Sequence, residues 1–319
     1  MVLLLPNTIL KWQIIGLSFD MYRKKILITG ASGYIGSHLV EHLKVRANVI
    51  AAYRQAPDNM EGGSFVVGDI SGSTNWGTAL EGVESVVHLA ALAHNTLPKT
   101  SDCTKLLMEV NVNAVVNLFK QSERAGVKRF IFVSSIGVIG NQTKDIPFDE
   151  ESECNPNEPY ACSKYEAEKV LRKLASESTI ELVIVRPPLV YSPSAPGNIA
   201  KLTRFIKIFP ILPFGSVNNK KSFVSIENLI NFLELCIFKP EAAGQIFVIS
   251  DNKVWSTKQL IQELAHAHGR MVILFPVPVA LLRIGLNVIG RKSLSNQILG
   301  DLLVNNAKAR SVLSWIPLQ

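Results

Sequence analysis

Tyr160 and Lys164 stand four residues apart, directly after Pro159. If a helix begins at this proline, the two side chains lie one turn apart on the same face. An ammonium group beside a phenol stabilises the phenolate and lowers the phenol pKa from its reference value of about 10. Such a tyrosine can exchange a proton with a substrate hydroxyl or carbonyl while a nicotinamide ring exchanges the hydride. The same spacing also occurs on solvated helix faces, so the neighbouring motifs must decide.

Three glycines follow the apolar run Ile26–Thr29, which predicts a strand, and precede a helical pattern. The first glycine allows a tight turn, the second lets backbone N–H groups approach a pyrophosphate, and the third permits close packing of helix on sheet. This order of strand, glycines and helix predicts a loop that binds a dinucleotide. The loop residues expected to contact it are Gly30, Ser32, Gly33, Tyr34, Ile35 and Gly36.

The second strand pattern, Val49–Tyr53, should end near the residue that reads the adenosine ribose. NAD sites favour an acidic residue there, which accepts a hydrogen bond from the 2′-hydroxyl. Arg54 follows instead and can pair with a 2′-phosphate, so the sequence favours NADP over NAD. The alternative is a solvated Arg54 beside a permissive NAD site. Asp69 and Ile70, after the third strand pattern, are expected near the adenine.

Strand and helix patterns alternate along most of the chain. The strand patterns lie at Ile26–Thr29, Val49–Tyr53, Phe65–Val67, Ser85–Ala90, Arg129–Ser134, Glu181–Arg186 and Gln245–Ile249. The helical patterns lie at Tyr34–Lys44, Leu106–Ala125, Pro159–Ser176, Glu227–Phe238, Thr257–His268 and Asn306–Leu313. Such alternation is typical of right-handed βαβ units. We therefore predict an α/β fold with a Rossmann-like, doubly wound parallel sheet.

The alternation breaks between residues 187 and 222, a segment that prolines and glycines punctuate. We predict a loop-rich insert there, outside the sheet. The dinucleotide-binding domain then comprises residues 21–186 plus 223–253. A smaller discontinuous C-terminal substrate lobe comprises residues 187–222 plus 254–319 and covers the carboxyl ends of the strands. Residues 1–20 are expected to be an N-terminal extension, because Met21 and the basic residues after it resemble a natural start.

The composition argues against several classes of protein. Apolar residues make up 47% of the 319 residues and charged residues 18%, which argues against disorder. No uncharged apolar run of about 18 residues is present, so no spanning helix is expected. The best stretch, Val277–Gly290, predicts an amphipathic helix instead. The net charge of +7 suits an anionic nucleotide partner, but scattered basic residues do not indicate nucleic acid.

The cysteines and histidines show no metal-site pattern. The four cysteines form no CxxC pair and no metal-like spacing with histidine, which fits a reducing cytoplasm. His88 and His94 flank a predicted strand end, where either can line the cofactor pocket. We therefore expect a cytoplasmic protein without a bound metal.

A small hydroxyl, Ser135, ends the strand that precedes the Tyr160 helix and can share a substrate oxygen with that tyrosine. With this serine, five motifs occur in the order and spacing typical of extended short-chain dehydrogenases/reductases. Residues 24–319 resemble the nucleotide-sugar epimerase/dehydratase members of that family. The motifs are Gly30-xx-Gly33-xx-Gly36, His88-Leu89-Ala90-Ala91, Val133-Ser134-Ser135, Tyr160-xxx-Lys164 and Arg186-Pro187.

The resemblance implies that Ser135, Tyr160 and Lys164 are the catalytic residues and that Asn111 lies near them. It also implies a homodimer through a four-helix interface that includes Leu106–Ala125 and Pro159–Ser176. Further cofactor contacts are implied at the strand ends and on the catalytic helix, namely at Leu89, Ala90, Ala91, Val133, Tyr160, Lys164 and Pro187.

Dehydratases of the family carry Thr-Asp-Glu where this chain has Ser135-Ile136-Gly137, so elimination of water is not expected. Two reactions at C4 of a UDP-sugar remain. A 4-epimerase, as in UDP-glucose 4-epimerase-like proteins, oxidises and re-reduces C4 with one retained NAD. A 4-keto reductase delivers hydride once and exchanges its cofactor, and Arg54 favours this reaction. A third hypothesis, a non-catalytic nucleotide-sensing protein, is disfavoured because both Tyr160 and Lys164 are present.

Three segments are similar to reductases that form UDP-N-acetylquinovosamine. This similarity implies a UDP-4-keto-6-deoxy-N-acetylhexosamine reductase of surface polysaccharide biosynthesis. Asn198 and Lys221 are, with Ser135, the expected substrate-binding residues. Many family members have arginine where Lys221 stands, and Ser192 replaces a more usual glycine. The three segments are Arg186–Tyr191, Leu212–Gly215 and Lys221–Val224.

Overall fold

The computed structural model describes residues 24–58, 62–93 and 103–318. The expected N-terminal extension at residues 1–20 and His94 lie outside the described residues. The described chain forms one large parallel sheet with helices packed on it, together with smaller strand pairs.

Seven strands form the central sheet in the spatial order β3-β2-β1-β4-β5-β6-β7, and all neighbours run parallel. The direction of winding reverses between β1 and β4, which opens a crevice at the carboxyl ends of these two strands. This order confirms the predicted Rossmann-like, doubly wound sheet. The strands are β1 (Lys25–Thr29), β2 (Asn48–Tyr53), β3 (Ser64–Val66), β4 (Ser85–His88), β5 (Arg129–Val133), β6 (Glu181–Arg186) and β7 (Ile246–Val248).

Eleven α-helices fall within the described ranges, and none of them is long and apolar enough to cross a membrane. A π-helical turn, Glu109–Asn113, joins α3 to α4. The helices are α1 (Tyr34–Leu43), α2 (Gly77–Leu80), α3 (Cys103–Met108), α4 (Ala114–Arg124), α5 (Pro159–Ser176), α6 (Asn198–Ile208), α7 (Ile226–Phe238), α8 (Thr257–Ala267), α9 (Val279–Val288), α10 (Lys292–Leu299) and α11 (Ala307–Leu313).

Alternate residues of the strands enter different hydrophobic clusters. Ile26 and Ile28 of β1 belong to a cluster shared with α1 and α7, whereas Leu27 belongs to a cluster shared with α4 and α5. This period of two means that both faces of the sheet are covered, which explains why Ile26, Leu27 and Ile28 are apolar in succession. The sheet thus fixes the carboxyl ends of its strands between two packed layers.

A third, smaller cluster lies outside the sheet. It is built mainly from α6 and α8, with Ile199 and Ile206 packed near Leu260 and Leu264. Short two-residue strand pairs border it, including Ile211–Leu212 with Ile273–Leu274. By contrast, α11 and Trp315 pack into the large core, where the Trp315 ring lies 5.1 Å from that of Phe232. The end of the chain therefore returns to the sheet.

Two helical segments differ from the sequence-based expectation. The loop-rich insert at residues 187–222 contains α6, which begins directly after Gly197 and is framed by prolines. The predicted helix Leu106–Ala125 is interrupted by the π-helical turn Glu109–Asn113. The many prolines between residues 187 and 222 made a helix unexpected there. The extra residue of a π turn does not change the apolar pattern enough to be recognised in the sequence.

Candidate active site

The glycine loop packs against the end of β4 with no room for side chains. Gly30 has φ +69°, and a Cβ atom there would lie 2.8 Å from the backbone nitrogen of Ala90. A Cβ at Gly36 would overlap the carbonyl oxygen of Gly30. The Gly33 N–H donates to that same carbonyl at 2.9 Å, which closes the turn. Both close approaches therefore require glycine at these positions.

The first turn of α1 presents backbone N–H groups to the crevice. Gly33 is the N-cap residue in an extended conformation, and no side chain in the described chain caps this end. The first N–H groups of a helix have no partner within the helix, and the helix dipole favours negative charge there. With a glycine-lined approach and no acidic residue in the first turn, this end suits the diphosphate of a dinucleotide.

Thr29 ties the end of β1 to the end of β4. Its Oγ1 accepts hydrogen bonds from the N–H groups of Leu89 and Ala90, at 3.2 and 3.3 Å, and lies 2.9 Å from Nδ1 of His88. Burial, reinforced by the charge of Lys164, lowers the pKa of His88 to about 3. His88 is therefore neutral and fully buried beneath the strand ends, where it supports the crevice.

Arg54 and Asp69 occupy the edge expected to meet the adenosine. Arg54 directly follows β2, and its guanidinium nitrogen lies 4.0 Å from the Asp69 carboxylate. Both side chains are largely exposed, so their mutual attraction is weak and either group remains accessible to a ligand. Ile70 is half-buried against the core on this side of the sheet.

Lys164 is buried at the carboxyl end of β5. Its Nζ donates a 2.7 Å hydrogen bond to the carbonyl oxygen of Val133 and lies 4.3 Å from the Phe132 ring centroid. Burial lowers the pKa of Lys164 to about 7, against an opposing contribution from the carboxylate of Glu168. Glu168 is itself paired with the buried guanidinium of Arg186 at 2.6 Å. The ammonium charge is therefore only partly compensated by the protein.

Tyr160 opens α5 one turn before Lys164, as the sequence predicted. The expected direction of its pKa shift was wrong. Burial raises the pKa of Tyr160 to about 12, because removal of the phenol from water penalises the phenolate. The Lys164 ammonium does not reverse this effect, since it donates to the carbonyl of Val133.

Ser135 follows β5 and lies near the start of α5. It caps a short 3-10 turn, Ile136–Val138, and its Oγ accepts from the Gly137 N–H at 3.1 Å. A Cβ at Gly137 would lie 3.4 Å from the side chain of Ala161 and 3.4 Å from Ser135 Oγ. The turn therefore brings Ser135 beside the first turn of α5, and no carboxylate stands on it.

Asn111 lies in the π-helical turn and is buried. Its side-chain amide donates to Ser163 Oγ at 2.9 Å and to the Leu92 carbonyl at 3.0 Å, and its carbonyl accepts from the Leu92 N–H at 2.8 Å. Ser163 in turn donates to the carbonyl of Tyr160 at 2.7 Å. Asn111 thus joins the chain after β4 to the helix that carries the tyrosine.

The predicted substrate residues lie in the smaller cluster. Lys221 is half-buried, and burial lowers its pKa to about 8 against the attraction of Asp301. Asn198 is exposed at the first position of α6. Asn198 and Lys221 thus lie on elements outside the central sheet, whereas Lys164 bonds the end of β5 and Ser135 follows that strand.

Ser192 bonds the helix that follows the glycine loop, a contact that was not predicted from the sequence. The Tyr34 hydroxyl, in the first turn of α1, donates a 2.6 Å hydrogen bond to Ser192 Oγ, which precedes α6. This bond joins the glycine loop to the smaller cluster. The sequence did show that Ser192 replaces the family's usual glycine. It could not show the hydrogen-bond partner of Ser192, because Tyr34 lies 158 residues away in the chain.

Comparison with known proteins agrees with this geometry. Residues 26–250 match the NAD dependent epimerase/dehydratase family. The chain is 40% identical over 300 residues to a UDP-glucose 4-epimerase of Vibrio cholerae, covering 93% of this chain and 92% of the relative. It is 28% identical over 265 residues to the N-acetyl-alpha-D-glucosaminyl-diphospho-ditrans,octacis-undecaprenol 4-epimerase of Escherichia coli O157:H7, covering 81% and 77%.

A solved structure of UDP-glucose 4-epimerase from Thermotoga maritima with UDP-glucose superimposes with a TM-score of 0.70. The two chains are 22% identical, and the superposition covers 92% of this chain and 93% of the other. At this identity the likeness establishes the fold. The match over residues 26–250 and the 40% identical relative lead to one assignment: the chain belongs to the NAD dependent epimerase/dehydratase family.

Proposed function

We propose that this enzyme is a 4-epimerase that oxidises and re-reduces C4 of a UDP-hexose. The observation that carries the proposal is the grouping of Ser135, Tyr160 and Lys164 at the end of β5, on a turn without a carboxylate. This grouping suits proton transfer coupled to hydride transfer and does not suit elimination of water. The 40% identity to a UDP-glucose 4-epimerase supports epimerisation over the reduction that Arg54 favours.

Tyr160 takes the proton from the C4 hydroxyl and returns it to the C4 carbonyl oxygen. Burial raises the pKa of Tyr160 to about 12, so the phenol is protonated at neutral pH and a cation must stabilise its phenolate during proton transfer. Ser135 holds the same substrate oxygen from the strand end. Lys164, whose ammonium is only partly compensated, stabilises negative charge that develops on Tyr160.

The glycine loop and α1 bind the diphosphate of the dinucleotide, with Leu89, Ala90 and Ala91 beside it at the end of β4. The bound dinucleotide supplies the acceptor and donor of hydride at C4. Val133 and Pro187 lie at the ends of β5 and β6, where backbone bonds hold the catalytic turn in place: the Ile136 N–H donates to the Pro187 carbonyl at 2.9 Å. This support orients Ser135 toward the substrate.

The smaller cluster binds the UDP moiety in this proposal. Lys221 carries an ammonium whose burial is only partly offset by Asp301, so a diphosphate gives it the missing counter-charge. Asn198, at the exposed start of α6, meets the same ligand. The predicted division into a dinucleotide domain and a substrate lobe is part of this proposal, except that α11 and Trp315 pack into the large core with the sheet.

A 4-keto reductase that uses NADP is the second candidate. Arg54 supports it, because an exposed guanidinium at the end of β2 fits a 2′-phosphate. The UDP-4-keto-6-deoxy-N-acetylhexosamine named by the sequence resemblance is then the substrate class. The family's homodimer through α4 and α5 remains a prediction for either enzyme.

Deuterium at C4 distinguishes the two reactions. With C4-deuterated UDP-galactose and no added cofactor, the epimerase should form UDP-glucose that retains deuterium, and denatured protein should release about one NAD per chain. Formation of a C4-deuterated product only with added deuterated NADPH and a UDP-4-keto sugar would show the reductase instead. Tyr160→Phe should abolish either reaction, and full turnover by this variant would exclude both.

A further inference from the structure

A two-residue strand pair on the smaller cluster has an apolar outer face. Ile211 and Ile273 are register partners in this pair, and both are more than half exposed. Their neighbour Leu212 is buried in the cluster beneath. Since alternate residues of a strand face opposite sides, the pair turns one apolar side inward and a second one outward.

The apolar surface continues on both sides of this pair. Phe209 and Phe275 lie two residues from Ile211 and Ile273, and both are more than two-fifths exposed. The Phe205 ring, at the end of α6, lies 4.7 Å from that of Phe209. Helix α9 begins four residues after Phe275, and we call these five residues, with α9, the lobe's apolar face.

Helix α9 is apolar around most of its circumference and has no buried residue. Leu281, Ile284 and Val288 are 59%, 58% and 80% exposed and share one side at helical spacing. Leu282 and Leu286 form the opposite, half-buried side. A helix that is apolar on both sides is expected in a protein core or in lipid, whereas the apolar side chains of α9 are exposed to solvent.

The charge around this face has a single sign. Residues 187–226 and 264–300 contain no Asp or Glu. Arg204, Lys207, Arg270 and Arg283 are all exposed, and none has an acidic partner among the described residues. A second copy of the chain would bring two cationic surfaces together, which is unfavourable. The complementary occupant is an apolar layer with an anionic surface.

We propose that the lobe's apolar face docks on the surface of an anionic phospholipid bilayer. The exposed aliphatic and aromatic side chains enter the boundary between headgroups and acyl chains, about 5–10 Å deep. The basic residues remain at the level of the phosphates, where each contributes on the order of 1 kcal/mol. This docking places the enzyme on the bilayer without a spanning segment.

The docked face and the proposed substrate site share α6. Asn198 begins this helix and Phe205 lies in its last turns, so their positions are about 10 Å apart along the axis at about 1.5 Å per residue. A bilayer surface would therefore lie beside the opening of the sugar site. The docking itself depends on no feature of the reaction and stands apart from the proposed function.

Sedimentation of the full-length protein with vesicles tests the docking. Vesicles of phosphatidylcholine with about 30% phosphatidylglycerol should bind the protein, with at least a tenfold lower partition coefficient on pure phosphatidylcholine, and salt should weaken binding. Leu281→Asp/Ile284→Asp should lower the partition coefficient on anionic vesicles about tenfold or more. The matched control is Ile146→Asp, because Ile146 is 78% exposed and lies outside the apolar face.

Turnover of UDP-sugar in solution and circular dichroism establish that each variant is folded. Should the aspartate variant misfold, Arg204→Glu/Arg283→Glu provides the test, with the exposed Arg310→Glu as its control. Equal binding of parent and patch variants to anionic vesicles would overturn the proposal. An absence of vesicle binding would also overturn the proposal. If the parent protein is then an oligomer that only the variants in the apolar face dissociate, the occupant of that face is a second copy of the chain.

Discussion

The ammonium of Lys164 donates a 2.7 Å hydrogen bond to the carbonyl oxygen of Val133, the last residue of β5. This bond fixes α5 against the end of β5, the strand that Ser135 follows. It also holds a cation in a buried position, where burial lowers its pKa to about 7. The enzyme therefore keeps a charged group ready for a ligand at some expense of stability.

The pH dependence of stability should report this buried lysine. The pKa of Lys164 is about 7 in the folded protein and about 10.4 in an unfolded chain. Between these values the unfolded state binds more protons, so the free energy of unfolding rises with pH in this window. We expect Lys164→Met to flatten that rise in urea unfolding at pH 7 and 9. Lys173→Met, an exposed change on the same helix, is the control.

The same substitution should lower turnover about 10²- to 10⁴-fold, because Tyr160 loses the charge that stabilises its phenolate. Stability at pH 7 should hold or increase, since a buried cation is replaced by an apolar chain of similar length. An unchanged kcat in Lys164→Met, with the same pH slope as the parent protein, would remove the lysine from the mechanism.

Substitution of two glycines with similar backbone angles can distinguish the effect of backbone strain from the effect on dinucleotide binding. Gly30 and Gly126 have φ of +69° and +77°, but only a Cβ at Gly30 would meet another backbone, that of Ala90. Alanine at either position should cost about 1 kcal/mol of stability from backbone strain. Only Gly30→Ala should lose dinucleotide binding, measured by calorimetry with NAD and NADP. Intact binding in Gly30→Ala would place the diphosphate elsewhere.

Local motifs were predictable from the sequence, and long-range contacts were not. The glycine loop depends on consecutive residues, and the Tyr160/Lys164 spacing depends on one helical turn, so both could be placed before the fold was known. The bond from Lys164 to Val133 joins residues 31 apart in the chain. The direction of the Tyr160 pKa shift was mispredicted for the same reason, because desolvation depends on tertiary packing that spacing does not reveal.

His88 should make the enzyme sensitive to acid. Its pKa is about 3 when folded, against about 6.5 for an unperturbed imidazole, so the unfolded state binds more protons between these limits. Stability contributed by neutral His88 is thus lost as pH falls through this window, by up to roughly 1.4 kcal/mol per pH unit. His88→Phe keeps a ring against Phe130 and Phe132 and should reduce this acid slope.

Urea unfolding between pH 7 and 5 measures the slope. His266→Phe, at an exposed position of α8, provides the control and should keep the parent slope. The His88 variant should also lose about 1 kcal/mol at pH 7, because the ring nitrogen beside Thr29 disappears. A slope in His88→Phe equal to that of the parent would show that other groups account for the acid sensitivity.

The hydrogen bond from Tyr34 to Ser192 should couple the glycine loop to the smaller cluster. At 2.6 Å it joins the first turn of α1 to the segment before α6, so its loss should loosen the lobe over the substrate. Tyr34→Phe and Ser192→Ala should each raise KM for the UDP-sugar about fivefold, the equivalent of about 1 kcal/mol for one hydrogen bond. Because both remove the same contact, the double variant should show no further increase. Steady-state kinetics of all four proteins measures the coupling, and fully additive effects on KM would mean that the two residues act independently.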